Sequence, residues 1–216
     1  MLNTPQLTRR DHTRRRLLQA ARRLFARAGY EATTVDDVAR EAGYSKGAYY
    51  FHFASKEDVL LALVDDWAER RWRGLEEAAN GARPPQDALA NLLEALLAST
   101  ATGNGDARLL LEFWSQGERN PKVGRRLTQA YRSWRELLVR AFRRAQEAGV
   151  LVRDRKPEVD ADAALALHDG LVVQHCLGPS PGSWRADAGG LIRLLTGMRG
   201  LRPDRADEAV VGSVAG

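Results

Sequence analysis

An all-helical fold is predicted by three features of the sequence. Apolar residues recur at three- and four-residue steps in one segment after another, as in Leu89, Leu92, Leu93, Leu96 and Leu97, or Leu127, Tyr131, Trp134, Leu138 and Phe142. Glycine, proline or a capping residue stands where most such stretches begin or end. No run alternates apolar and polar residues in the way a half-buried strand requires. This punctuation divides the chain into about nine helices.

Residues 1–9 are short, polar and without periodicity, and read as a disordered lead. Arg9, Arg10, Arg14, Arg15 and Arg16 follow either as a basic arm beside a polyanion or as a solvated helix start. The first helix spans 11–28, with one apolar stripe from Leu17, Leu18, Ala21, Leu24, Phe25 and Ala28, and Gly29 ends it. Thr34 caps the second helix, where Val35, Val38, Ala39 and Ala42 share a face, and Gly43 stops it. Ser45 caps the third. Ser55 caps the fourth, with Asp58 placed as its capping-box partner. That fourth helix carries Val59, Leu60, Leu63, Val64 and Trp67, then mostly charge, and reaches 80, with Gly74 expected to loosen its end. At ~25 residues it is about 37 Å long, more than a small domain needs, so it should join two domains. Residues 81–85 are the clearest break. The fifth to ninth helices are expected at 86–99, 106–119, 122–148, 160–177 and 184–201, followed by a mobile tail.

Composition limits the function. A hydrophobic share of 44% is that of a globular chain. No apolar run approaches bilayer length, and the N-terminus lacks the apolar core of a signal peptide. The one cysteine, Cys176, has no intrachain disulfide partner, which fits a reducing cytoplasm. Residues 1–56 hold 11 Lys/Arg against 5 Asp/Glu, whereas the remainder holds 22 against 23. The positive excess of the chain therefore lies entirely in its first quarter. A polyanion is the implied partner, but RNA, an acidic protein and anionic lipid satisfy that condition as well as DNA does.

The motif supplies the choice. Residues 33–56 form two short helices with a glycine in the turn, the shape of a helix-turn-helix whose second helix enters the major groove. Lys46, Gly47 and Tyr50 share one helical face, while Tyr49 and Phe53 share another. The second pair should pack inward, leaving a cation, bare backbone and an aromatic exposed. The run AGYSKGAYYFHFASKEDVL resembles the helix-turn-helix signature of the tetracycline-repressor (TetR) family of bacterial transcription regulators. The resemblance implies an all-helical homodimer with a DNA-binding domain at 1–56, a ligand-binding and dimerisation domain at 57–201, and a tail at 202–216. It assigns Lys46 to guanine or phosphate, Gly47 to close backbone approach, Ala48 to a thymine methyl, and Tyr50 to a methyl, sugar or phosphate. Thr34, Ser45, His52 and Lys56 are assigned to phosphates. Capping alone would also explain Thr34 and Ser45, and packing would explain His52. Phe51 departs from the family, because many members carry a tyrosine there whose hydroxyl reaches a phosphate. His52 or Lys56 is expected to replace that contact. A dimer would read two half-sites about 34–36 Å apart in a roughly palindromic duplex operator.

For the larger domain, Ala163, Ala164, Leu167, Leu171 and Val172 on the eighth helix, and Leu191, Leu194, Leu195 and Met198 on the ninth, form stripes that either dimerise or close the core. The resemblance favours a four-helix dimer interface. Phe113, Trp114, Tyr131, Trp134, Phe142, His168 and His175 are the candidates to line an effector cavity, with ordinary core packing as the other reading. The stretch 109–138 resembles regulators that respond to fatty acids and their coenzyme A thioesters, which implies a small apolar effector. Arg108, Arg119, Arg125 and Arg126 stand where an anionic head group could be met. A catalytic role is not expected. His175 and Cys176 are sequence neighbours and do not face one another on a helix, and no phosphate loop or nucleophile elbow occurs. No cofactor or metal is implied. The rival reading is a basic amphipathic module for a membrane surface or protein partner. It conflicts with the need for the first helix's apolar stripe to support the next two.

Overall fold

In the N-terminal third, three helices close on one another because each has a single apolar face and a cap that ends it. The computed structural model describes residues 9–80, 85–98 and 106–177. Among these it contains eight helices: α1 (Arg9–Ala28), α2 (Val35–Ala42), α3 (Lys46–His52), α4 (Lys56–Asn80), α5 (Pro85–Ala98), α6 (Asp106–Arg119), α7 (Pro121–Glu147) and α8 (Pro157–Leu177). No strand occurs among the described residues. The expected ninth helix and the tail lie outside them, as do the start of the chain and residues 81–84.

Leu17, Ala20, Ala21, Leu24 and Phe25 bury the inner face of α1. The chain turns at Gly29, whose φ of +86° a side chain would strain. Thr34 then caps α2 reciprocally: its Oγ1 accepts from Asp37 N at 3.1 Å, and Asp37 Oδ2 accepts from Thr34 N at 3.0 Å. Gly43, at φ +76°, closes α2 through its N–H on Arg40 O. Ser45 Oγ accepts from Ala48 N at 3.2 Å and opens α3. Ser55 Oγ accepts from Asp58 N at 3.1 Å and opens α4.

α4 runs unbroken to Asn80, so Gly74 does not loosen it. A single exposed glycine costs only about 1 kcal/mol of helix propensity, and buried Arg71 and Leu75 anchor the turns on either side of it. Val59, Leu60, Leu63 and Val64 belong to its N-terminal half; Trp67, Arg71 and Leu75 carry the same buried stripe toward α5 and α7. Pro85 and Pro121 open α5 and α7, where the missing N–H costs nothing. α8 starts at Pro157, three residues earlier than expected, for the same reason.

α6 and α7 are joined by one residue, Asn120, whose Oδ1 accepts from Lys122 N and Val123 N at 2.9 and 3.4 Å. Beside this link the helices touch backbone to backbone. A Cβ on Gly124 would lie 2.7 Å from Gly117 O, and one on Gly117 would lie 2.8 Å from Leu127 Cδ1. Trp67, Phe113, Tyr131 and Trp134 form the aromatic centre of the C-terminal helices, with ring centroids 5.0 to 5.8 Å apart.

The expected dimer stripe on α8 needs correction. Ala164 and Val172 are buried within the chain's own core. The apolar and small residues that α8 leaves exposed are Val159, Ala163, Ala166, Gly170 and Val173, at alternating four- and three-residue steps, with Asp162 and Gln174 exposed beside them. The intrachain stripe and the outward stripe are therefore adjacent but distinct.

Candidate DNA-binding and effector sites

α3 presents the division that its spacing predicts. Tyr49 is wholly buried and Phe53 nearly so, with their rings 5.9 Å apart. Tyr49 Oη donates to Ser55 O at 3.1 Å, which ties α3 to the start of α4. Burial pushes the Tyr49 phenol well above its ordinary pKa, so it remains a donor. On the other face Lys46, Gly47 and Tyr50 are exposed, and Phe51 is 68% exposed. Ala48 is half-buried. A Cβ on Gly47 would meet only Ser45 Oγ, at 3.8 Å, so that surface is open backbone.

Several side chains have partners that the sequence did not disclose. Lys46 Nζ sits 3.0 Å from Asp36 Oδ2 of α2, an exposed pair that raises the lysine pKa. Lys56 Nζ donates to the carbonyls of Tyr30, Thr33 and Glu31 at 2.8, 3.0 and 3.4 Å, and lies 4.2 Å from the Tyr30 ring centroid. Its three donors are thereby taken. Lys56 holds the α1–α2 turn, and a phosphate could reach it only by displacing one of these carbonyls. Arg10, from α1, stacks over Phe51 at 5.4 Å, and Arg14 over Phe53 at 5.1 Å. His52 is half-buried against the Phe51 ring. Desolvation, then Arg10 and Arg14, lower its pKa, so it is a neutral imidazole near pH 7. The cation stacked on Phe51 is thus Arg10 of α1, with Arg14 over Phe53 nearby.

In the C-terminal helices the seven candidates separate. Phe113, Trp134 and Phe142 are fully buried core. Trp114, Tyr131 and His168 meet at Asp169: Trp114 Nε1 donates to Tyr131 Oη at 3.1 Å, Tyr131 Oη donates to Asp169 Oδ1 at 2.9 Å, and His168 Nδ1 lies 2.9 Å from the same oxygen. The side chain of His175 lies outside the described residues. Arg71 was the residue missed. It stands where the fourth helix turns mostly to charge, yet it is nine-tenths buried, with Nη2 donating to Leu96 O at 2.7 Å. The signal was present, since Leu60, Val64, Trp67, Arg71 and Leu75 form one helical stripe. Burial lowers the Arg71 pKa to about 10, which leaves it cationic. Arg126, expected as a head-group contact, is instead paired with Asp65 and bonded to Leu61 O. Two open clefts lie farther out. One, of about 280 Å³, is lined by Trp72, Leu89, Leu137 and Arg140; the other, of about 330 Å³, by Trp72, Arg126 and Ser133.

Comparison with known proteins decides what this arrangement belongs to. Residues 17–63 match the sequence model of the tetR family of bacterial regulatory proteins, and residues 85–210 match that of the C-terminal domain of BetI-type transcriptional repressors. The chain is a TetR-family transcriptional regulator. The HTH-type transcriptional regulator UidR of Escherichia coli is 26% identical over 77% of this chain and 83% of its own. Salmonella enterica GusR shares 29% identity and a TM-score of 0.71, covering 88% of this chain and 97% of that one. A regulator from Saccharomonospora viridis, solved in complex with choline, shares 27% identity and a TM-score of 0.75 over 85% and 95% of the two chains. For a TetR-family member, α2 and α3 are the helix-turn-helix and the helices from α5 onward belong to the ligand-binding domain. No helix among the described residues is long and apolar enough to cross a membrane.

Proposed function

We propose that this regulator is a homodimeric repressor that leaves a palindromic operator when a small molecule binds its C-terminal domain. The supporting observation is the orientation of α3. Tyr49 and Phe53 fix its inner face while Lys46, Gly47, Ala48 and Tyr50 face outward or lie at the rim. In this reading Lys46 releases Asp36 and reads a base or phosphate, and Tyr50 lies against a methyl or sugar. Thr34 and Ser45 sit at helix N-termini that favour phosphate while they cap. Arg10 and Arg14 supply the phosphate contact that Phe51, lacking a hydroxyl, cannot make, with His52 packed beneath them. Lys56 acts through the turn that it holds. The DNA-reading unit ends near residue 56, and the first turns of α4 serve both domains.

The dimer forms through the outward stripe of α8 together with the segment expected at 184–201. Small residues at 163, 166 and 170 allow close helix approach there. The effector site lies around Trp114, Tyr131 and His168, and binding there favours an arrangement that spaces the two α3 helices wrongly for the operator. The test uses a duplex selected from a random pool by the intact protein. Lys46→Ala combined with Tyr50→Ala should abolish its retardation while the protein stays folded and dimeric. Unchanged specific retardation would overturn the assignment of α3.

A further inference from the structure

Arg71 is a full positive charge held away from water, with its guanidinium 5.8 Å from the Trp134 ring centroid. One Nη donates to Leu96 O, in the last turn of α5. The Nε–H has no hydrogen-bond partner. Among the described residues no carboxylate forms an ion pair with the guanidinium, although Asp169 and Tyr131 lie within its electrostatic reach. A helix-end carbonyl needs only a neutral donor, so it does not explain a buried charge. Burying a cation without an opposite partner is costly, and such groups are normally paired.

The surroundings show what is missing. Asp169 accepts from Tyr131 and His168 on one oxygen, Oδ1, which leaves Oδ2 free to accept. Its side chain is 31% exposed, so solvent reaches the cluster at that point. Tyr131 is held as a neutral phenol by burial and by Asp169, and His168 as a neutral imidazole by burial. A cationic ligand would face Arg71, while an oxyanion would supply its absent partner. We propose that Arg71 anchors the carboxylate of an acidic effector, whose hydrogen-bond donors lie toward Asp169. The Nε–H and an Nη–H of arginine form a fork that matches the two oxygens of a carboxylate. This rests on the reading of the C-terminal domain as an effector domain, and it specifies the chemistry of that effector.

The test separates this from a purely structural arginine in two measurements on the intact dimer. Without any ligand, Arg71→Gln keeps a donor for Leu96 O and removes the unpaired charge. It should melt at or slightly above the parent temperature, by up to about 2–4 °C; a clear fall in melting temperature marks Arg71 as structural and overturns the proposal. With ligand, calorimetry compares phenylacetate and octanoate with phenylacetamide, octanamide and choline. The acids should bind the parent roughly tenfold to a hundredfold more tightly than their amides, as a charged hydrogen bond implies. That preference should vanish in Arg71→Gln and survive in part in Arg71→Lys. Equal binding of acid and amide overturns the proposal. Binding of choline that releases DNA and is unaffected by Arg71→Gln leaves the effector reading standing without this anchor. Failure of every compound to bind removes both.

Discussion

The two ends of the molecule handle polar groups in opposite ways. In α1 to α3 they are paired at the surface, mostly over three residues: Thr34 with Asp37 and Ser45 with Ala48, and across the turn Lys46 with Asp36. The C-terminal helices have surface pairs too, such as Arg135 with Asp162, but they also bury polar groups that are paired across the chain. Arg71 reaches Leu96, Tyr131 reaches Asp169, and Gln116 Nε2 reaches Glu31 Oε1 at 3.3 Å. A domain that must present one rigid helix to DNA benefits from local caps. A domain that must recognise a small molecule needs polar atoms inside, and tolerates their desolvation cost to have them.

The contrast can be broken most severely at its apolar supports. Tyr49→Ala removes the side chain that fixes α3 and its bond to Ser55, and should cost about 3–5 kcal/mol. Denaturant unfolding would measure this, and DNA retardation should vanish with it. Gly124→Ala drives a methyl into the α6 backbone at Gly117. It should cost about 1–3 kcal/mol, read the same way, because backbone cannot move aside as a flexible side chain can. Thr34→Ala should cost about 1 kcal/mol through loss of a cap, with operator affinity falling further than stability if Thr34 also meets phosphate.

Acid should also distinguish the two regions. Burial, reinforced by Arg71, holds His168 below its ordinary value of 6.5, although its bond to Asp169 works the other way. The unfolded chain therefore takes up this proton first. The stability that this histidine contributes is complete above about pH 6.5 and declines as the pH falls toward the lowered folded value. His168→Gln should flatten that part of the profile of melting temperature against pH; an unchanged slope would mean that His168 does not carry it. Half-buried His52 acts in the same direction, so His52→Gln measured beside His168→Gln separates their shares. The smallest expected effect is at the surface. Asp36→Asn should leave melting temperature unchanged, since exposed pairs contribute little, yet strengthen DNA binding slightly by freeing Lys46.

How much could be read from the sequence follows the same division. Thr34, Gly43, Ser45 and the inward aromatics Tyr49 and Phe53 obey rules that span four residues or fewer, and the chain places them as those rules require. Helix ends were legible to within three residues because proline, glycine and capping residues mark them. The pairing of Lys46 with Asp36 and of Lys56 with three carbonyls was not legible, because both depend on how helices ten and more residues apart are brought together. Arg71 was misread for another reason. Charge was allowed to outweigh period, although its spacing from Trp67 and Leu75 placed it on the buried face. For α8 the sequence left open whether its stripe closes the core or dimerises, because small and apolar residues occur on more than one of its faces.

Glu57 stands at the seam. Its Oε1 accepts from Asn120 Nδ2 and its Oε2 from Lys122 Nζ, both at 2.7 Å, and this engagement lowers its pKa. Asn120 is also the whole linker between α6 and α7. The two helices consequently have no slack between them, and one carboxylate in the first turn of α4 grips their elbow. Glu57 thus ties that elbow to the first turn of α4, beside the Gln116–Glu31 bond that ties α6 to the α1–α2 turn. Lengthening that elbow by one or two residues should loosen the grip of Glu57 and weaken the coupling proposed above between effector and DNA.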